Sequence, residues 1–471
     1  MSAMSVESSM LYPDIQDIIE NPAQDYDAIF AFETKLHTDE KDLDYTDGIA
    51  LVDIYIVRDY IENISDYIEV KLSIPPGTFL YDVYDKLDNI EITIITTKQL
   101  RQTNGSPLTV KERYKGVYLL EKNSSVPNTI KQTKDDLNNQ MPLIVTFQLL
   151  DRSVETLRIK TTQGNFDKGI NGNKDMGIAT FFKSLISEQS NKILIENKPA
   201  LDGIDIEEPD NSDNLKAVTV PSFTRIIELP ELIQEKNIGV YNGGIGCYVQ
   251  KFGTDPYTYK KNMFIYSLYN GDKYQKSEFK TMFFAPISSS HSGGDNTYKY
   301  KDKVLRILPH NISKISDNKE TSVMSSGSGF RMSNANSFMK KPVEMTESGP
   351  KFKRNELSSE VIFKSRSDGL NFAPNKSVSG NQFKLTADLL RKNGNYIKVE
   401  VSNLDHDFIY PAAKCKILYE DKGGGITEVF GVIHMAIISY SNPNPSPVMS
   451  QRSQTVSLTA HTSLQVFVNS K

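Results

Sequence analysis

The sequence predicts a mainly β protein with an α+β middle: two tube-like β-barrel or β-sandwich domains flanking a mixed α/β region. Three observations carry that expectation. Tyr67–Ile74 alternates strictly, with Ile68, Val70, Leu72 and Ile74 against Tyr67, Glu69, Lys71 and Ser73, the period of a strand buried on one face. Tyr396–Ser402 repeats the pattern near the other end of the chain, with Ile397, Val399 and Val401 against Tyr396, Lys398 and Glu400. Between them, Met176–Gln189 sets Ile178, Phe181, Phe182, Leu185 and Ile186 at the spacing of one helix face.

In chain order, residues 1–27 read as an N-terminal arm and 28–125 as the first tube-like β domain. Its further strands are Ile49–Val57, Ile90–Thr97 and Lys115–Lys122, and Pro75-Pro76-Gly77 reads as a turn. Residues 126–240 read as the mixed α/β domain. Leu143–Leu150 and Val154–Lys160 look like a strand pair around Asp151-Arg152. Ser222, after Pro221, reads as the N-cap of a helix whose stripe is Phe223, Ile226, Ile227, Leu229 and Ile233, kinked at Pro230 and stopped at Gly239. Residues 241–310 read as β-rich, with strands at Gly246–Phe252, Asn262–Leu268, Thr281–Pro286 and Lys303–Leu308. Residues 311–380 show no period. They read as an extended arm with Phe330, Met332, Phe338, Met339, Phe352 and Phe363 as anchors, protected from protease only in an assembly. Residues 381–471 read as the second tube-like β domain: Ala413–Glu420, a turn at Asp421–Gly425, a long strand Thr427–Tyr440 bulged at Gly431, then Gln454–Ala460 and Leu464–Asn469.

Charge divides the chain. Residues 1–100 carry 21 acidic and 6 basic side chains, a balance of −15, while the remaining 371 carry 38 and 48, a balance of +10. The acidic part repels phosphates, which argues against nucleic-acid binding there. No run of about 18 apolar residues is present, so no membrane helix is expected, and Met1–Met10 does not read as a secretory signal. Cys247 and Cys415 are the only cysteines, which supports neither a disulfide framework nor a zinc site.

The chemical motifs are weak. Gly243-Gly244-Ile245-Gly246 follows a helix and leads into a strand, the reverse of a phosphate loop. Asp42-x-Asp44-x-Thr46, with Asp53 beyond, mimics a calcium loop but has Asp47 where the glycine belongs, with Gly48 one late. Asp405-His406-Asp407 is the most tempting trio, yet adjacent turn residues rarely converge on one substrate. His37, His291, His310, His406, His434 and His461 form no zinc motif, and no Gly-x-Ser-x-Gly elbow occurs. Tyr241, Tyr248, Tyr257, Tyr259, Tyr266, Tyr269 and Tyr274 fit an interface or strand surface better than a stacking platform. Paired carboxylates for glycoside cleavage stay open, though tryptophan is absent. The expectation is no enzyme, with no catalytic, cofactor-binding or metal residue.

Val220-Pro221-Ser222, a short helix, Ile238-Gly239-Val240-Tyr241-Asn242-Gly243-Gly244 and a strand containing Tyr248 resemble the central baseplate hub protein of contractile-tailed, T-even-type bacteriophages. The order of elements along most of the chain resembles it too. That resemblance implies a structural virion protein of the tail baseplate, assembled in the host cytoplasm: a homotrimer whose two tube-like domains per chain present six similar units. It would join a six-fold tail tube, or its initiator protein, to a three-fold central spike, beside other baseplate proteins. DNA would touch it only in transit through a lumen lined by acidic residues of 28–125, and no membrane insertion is implied. A receptor- or glycan-binding tail protein is the alternative, and a cell-wall glycosidase a further one.

Overall fold

A computed structural model of the chain describes residues 28–100, 107–123, 133–166, 176–195, 198–210, 214–215, 218–236, 240–241, 244–255, 258–268, 281–284, 297–300, 304–307, 311–315, 331–333, 360–362, 395–406, 409–420, 426–441 and 454–468. Six strands come first: β1 (Ala28–His37), β2 (Ala50–Asp59), β3 (Tyr67–Ile74), β4 (Glu91–Leu100), β5 (Leu108–Tyr118) and β6 (Leu143–Leu150). The middle holds α1 (Arg152–Ile159), β7 (Thr161–Phe166), α2 (Ile178–Asn191), β8 (Gly203–Ile206), β9 (Val218–Arg225), α3 (Leu229–Lys236), β10 (Ile245–Asp255) and β11 (Thr258–Ser267). The last part holds β12 (Thr281–Phe284), β13 (Thr297–Tyr300), β14 (Val304–Ile307), β15 (Asn311–Ile315), β16 (Asn395–Ser402), β17 (Lys414–Glu420), β18 (Ile426–Ser441) and β19 (Val456–Val468). The protein is mainly β, as its alternating runs predict.

Eight antiparallel strands close a ring in the order β18–β2–β3–β6–β5–β4–β1–β19, with β19 returning to β18. Leu36, Val70, Leu72, Ile74, Ile92, Phe147 and Ala460 fill it and are wholly buried. The barrel is a packed core and not a pore, so among the described residues the ring encloses no lumen. Its β3 is the alternating Tyr67–Ile74 of the sequence, with Val70, Leu72 and Ile74 inside. β6 completes this barrel between β3 and β5, although its position in the sequence suggested the middle region.

Several local readings are corrected. β5 starts at Leu108, not Lys115, and Leu120–Lys122 is a 3-10 turn; Glu112 on the inward face had broken the apolar period. Pro76 opens helical turns that run on to Asn89, because proline suits a first turn that needs no N–H there. Val154–Lys160 is not a strand: Asp151 accepts the Ser153 N–H at 2.8 Å and caps α1, which buries Val154 and Leu157. The helix expected from Ser222 begins later. Val218–Arg225 pairs with β7, with a bulge between Val220 and Thr224, and Phe223 there has φ 65° and is 84% exposed. Pro230 therefore sits in the first turn of α3, where it disturbs nothing. Gly239 lies outside the described residues.

The second β unit is an open sheet ordered β15–β16–β19–β18–β17–β12–β14–β13. It shares β18 and β19 with the barrel. The outer edge of β18 pairs first with β17, up to Val432, and then with β2 from Met435. The outer edge of β19 pairs with β1 over Val456–Leu458 and with β16 over His461–Val468. The two strands expected at Gln454–Ala460 and Leu464–Asn469 are thus one; polar His461-Thr462-Ser463, which suggested a break, pairs with Ser402, Val401 and Glu400. Gly431 is not the bulge. Register shifts between Ile433 and Met435, and Gly431 instead admits close approach of the Phe467 carbonyl, 2.6 Å from where a Cβ would sit. Of the expected arm, 311–315 forms β15, and Arg331–Ser333 pairs with Glu360–Ile362; its anchors other than Met332 lie outside the described residues.

Candidate functional site: the two ends of the barrel

The ring has a mouth, where β1 and β6 turn toward the rest of the molecule, and an opposite free end. Both points where a shared strand changes partner carry a buried histidine. His434 sits at the register shift of β18, with Nε2 2.9 Å from the Leu268 carbonyl and its ring stacked on Phe467. His406 sits beside the partner change of β19, where Asn403 bridges from the Ala28 N–H to the Ala460 carbonyl.

His406 is enclosed on every side. Phe30 of β1 stacks on its ring at 5.3 Å, the Tyr440 hydroxyl meets Nδ1 at 2.5 Å and the Thr462 hydroxyl meets Nε2 at 3.3 Å. Burial, with Arg58 and Lys98 nearby, drives its pKa well below the ordinary histidine value. Its neighbour Asp405 is 4% exposed and takes the Lys98 ammonium at 3.0 Å on both oxygens. The expected trio is thus partly a packed seam, and Asp407 lies outside the described residues.

Arg58, near the end of β2, donates to the carbonyls of His406 and Ile409, each at 3.1 Å, and to Asp66 at 3.3 Å. Burial opposes its charge, but Asp66 holds its pKa above the ordinary value. Tyr60 donates to Gln250 at 3.0 Å, Gln250 donates to the Ile409 carbonyl at 2.7 Å, and Tyr248 donates to Asp66 at 2.9 Å. Tyr266 donates to the Tyr60 carbonyl at 2.5 Å. Lys251–Glu112 at 2.9 Å and Lys261–Asp151 at 2.5 Å tie β10 and β11 to the barrel side. These two, with Arg58–Asp66 and Lys98–Asp405, make four ion pairs around a cavity of about 160 Å³. Every charge in those pairs is matched by an opposite one, as a joint between three packed units requires.

Tyr241, Tyr248 and Tyr266 are therefore interior hydrogen-bonding groups, neither strand surface nor stacking platform; Tyr257, Tyr269 and Tyr274 lie outside the described residues. Arg58, Tyr60, Lys98 and Gln250 were missed in the sequence. A signal existed: Arg58 shares a strand face with Ile54 and Ile56, and Lys98 with Ile92 and Ile94. Cys247 and Cys415 are free, and burial pushes the Cys247 thiol up to about 12. Gly244 has φ 87°, and Gly246 lies within β10 against the Tyr266 ring; Gly243 is outside the described residues.

At the free end, the calcium-like loop is used locally. Asp44 accepts the Thr46 N–H at 2.8 Å, Asp47 accepts the Asp44 N–H at 3.0 Å, and Gly48 takes φ 84°. Asp42 pairs with His37 at 2.6 Å. Asp53, on β2, pairs with Lys71 at 2.8 Å. Among the described residues, no group of three or more His, Cys, Asp or Glu is placed to hold a metal ion, and no helix is long and apolar enough to cross a membrane.

A separate cleft of about 430 Å³ lies between β8, β11 and the Tyr410–Lys414 turn. Asp205 and Glu207 both line it. Asp205 accepts from the Asn262 amide at 2.6 Å, and Glu207 accepts the Ser267 N–H at 2.9 Å and lies 3.9 Å from Lys414. Lys183 and Tyr410 complete its wall beside Ala412, which holds φ 58°.

No protein-family model matches the sequence, and no curated protein matches it. Among solved structures, the prophage MuSo2 43 kDa tail protein from Shewanella oneidensis overlays with a TM-score of 0.41 at 9% identity, covering 92% of this chain and 98% of that one. A chain of the lidless PdpA–VgrG complex overlays at 0.35 and 10% identity, covering 94% of this chain and 65% of that one. A chain of the half-lidded Francisella PdpA–VgrG complex gives 0.36 and 10%, covering 98% and 61%. This chain thus spans less than two thirds of the latter two. Overlays this shallow leave the function to be argued from the residues.

Proposed function

We propose that this chain is a structural tail protein, the homotrimeric hub at which a six-fold tube meets a three-fold spike, and not an enzyme. One observation carries the reading: β18 and β19 run unbroken through both β units. A single chain thereby holds two β units in a fixed relation, one a closed ring and the other an open sheet, and three copies offer three of each. The packed barrel interior supports a channel formed between copies. The partners are the tube or its initiator, the spike and other baseplate proteins, with DNA only in transit. The test is the mass of the purified protein, alone and mixed with tube and spike proteins. The expected result is about three times the 53.0 kDa chain, growing on mixing; a persistent monomer overturns the reading.

The 430 Å³ cleft favours a second reading, a glycan-binding tail protein: two carboxylates, two lysines and two tyrosines line a volume suited to a small ligand. Saturation-transfer NMR with cell-surface oligosaccharides separates the two, since only the second expects signals that vanish in Asp205→Ala.

A further inference from the structure

The free end of the barrel differs from the rest of the described surface in two independent ways. Its segments, 38–49, 75–90, 119–123 and 133–142, belong together because they join strand ends that pair: Leu36 with Ile92, Tyr118 with Phe147, Leu143 with Ile74, and Ser73 with Ala50. Contacts between the segments confirm this, with Lys41–Asp82 at 2.9 Å, Asn89–Asp39 at 3.0 Å and Thr78–Asn138 at 2.9 Å. Together they hold 11 acidic and 4 basic side chains, a balance of −7. Each of the four lysines is already paired: Lys41 and Lys134 with Asp82, Lys86 with Glu40, Lys122 with Glu69. Among the described residues, acid is therefore in excess at this surface. This end, with the first residues of β6, also carries five of the nine large apolar side chains exposed among the described residues: Tyr81, Tyr84, Leu120, Met141 and Ile144. Leu120 and Met141 are 76% and 77% exposed. Acid and exposed apolar anchors on one rim mark a docking surface for something basic with apolar anchors of its own.

The chain contains such a segment. Phe338-Met339-Lys340-Lys341, Lys351-Phe352-Lys353-Arg354 and Phe363-Lys364-Ser365-Arg366 each set an aromatic beside two or three cations. These residues lie outside the described ones, and only their sequence is used. Their own barrel is within the roughly 75 Å that the 22 residues between Ile315 and Phe338 can span, but only by a reversal of direction. Ile315, the last described residue of β15, pairs with Tyr396, which pairs with Phe467 at the end of β19 remote from the rim. Reaching the rim in the same molecule means running back along about 40 Å of wall at strand rise. A neighbouring copy is under no such demand.

We infer that the acidic, apolar free end of the barrel receives the basic, aromatic segment 338–366 of a second copy of the chain. The inference rests on the multimeric part of the proposed function, but its test fails separately. The photoreactive residue p-benzoylphenylalanine replaces Leu120 or Met141 in the full, isotope-labelled chain, which is assembled with unlabelled copies; Ile159, 74% exposed and at the mouth side, is the control position. The expected product joins the probe to unlabelled peptides of 338–366. Its yield falls about tenfold when Lys340, Lys341, Lys353 and Arg354 are changed to Glu, and it falls with added salt. Cross-links to the labelled chain's own segment, to another protein or to neither overturn the inference, as does a yield indifferent to the charge reversal. Mass is measured first: a monomer overturns the trimer and this contact together, whereas a multimer without the cross-link overturns only this contact.

Discussion

The mouth and the free end of the barrel are built from the same eight strands and treat charge in opposite ways. At the mouth, Arg58, Lys98, Lys251 and Lys261 each face a carboxylate, and Tyr60, Tyr248 and Tyr266 bury their hydroxyls on partners. At the free end, acids outnumber bases and apolar side chains face solvent. A surface already covered by its own chain must satisfy its polar groups internally. A surface held for another molecule can leave its charge unbalanced and its apolar groups bare. The difference teaches which end belongs to the fold and which to assembly.

The comparison breaks if mutations at the two ends act alike. The largest effect is expected for Lys98→Ala, which strands the buried Asp405 carboxylate; removing one partner of a buried pair costs about 3–5 kcal/mol, read from the denaturant midpoint. Next comes acid. The His406 pKa is depressed in the fold by burial, Arg58 and Lys98, while the unfolded chain protonates near 6.5. Its contribution is therefore complete above that pH and declines as pH falls below it, by up to about 1.4 kcal/mol per pH unit until the folded group titrates. Stability curves at pH 7 and 5.5 should converge for His406→Gln and separate for the wild type. Gly431→Ala forces a methyl against the Phe467 carbonyl where the two β units share strands, and overpacking of this kind costs about 1–3 kcal/mol; a shift in thermal midpoint measures it. The smallest effect belongs to the free end: Asp88→Asn or Met141→Ser should move stability by no more than about 0.5 kcal/mol. A large loss there would mean that this end too is part of the internal framework.

Much of the fold was legible because its strands alternate. Tyr67–Ile74 and Tyr396–Ser402 each send alternate apolar side chains into a core and polar ones to the opposite face, and such strands declare themselves at period two. α2 declared itself equally through Ile178, Phe181, Phe182, Leu185 and Ile186, all buried. The readings that failed depended on a partner far away in sequence. Nothing near His461-Thr462-Ser463 says that β16 will pair with it, and nothing near Pro221 says that β7 will hold it extended. Tyr248 and Tyr266 looked like surface because their partners, Asp66 and the Tyr60 carbonyl, lie 182 and 206 residues away.

By itself the sequence determined the class of the protein, the location of its better strands and its main helix, and the uneven spread of charge. These are local properties: side-chain period, capping groups and composition act within a few residues of where they are written. Only the tertiary structure decided that two β units share β18 and β19, that the charged residues of the mouth are mated in pairs, and that eight of the 21 acids of the first hundred residues gather on one rim with Glu121, Asp135 and Asp136. Those facts depend on which strands meet, and strand pairing is set by the burial of whole faces summed over the molecule, a quantity no single stretch contains.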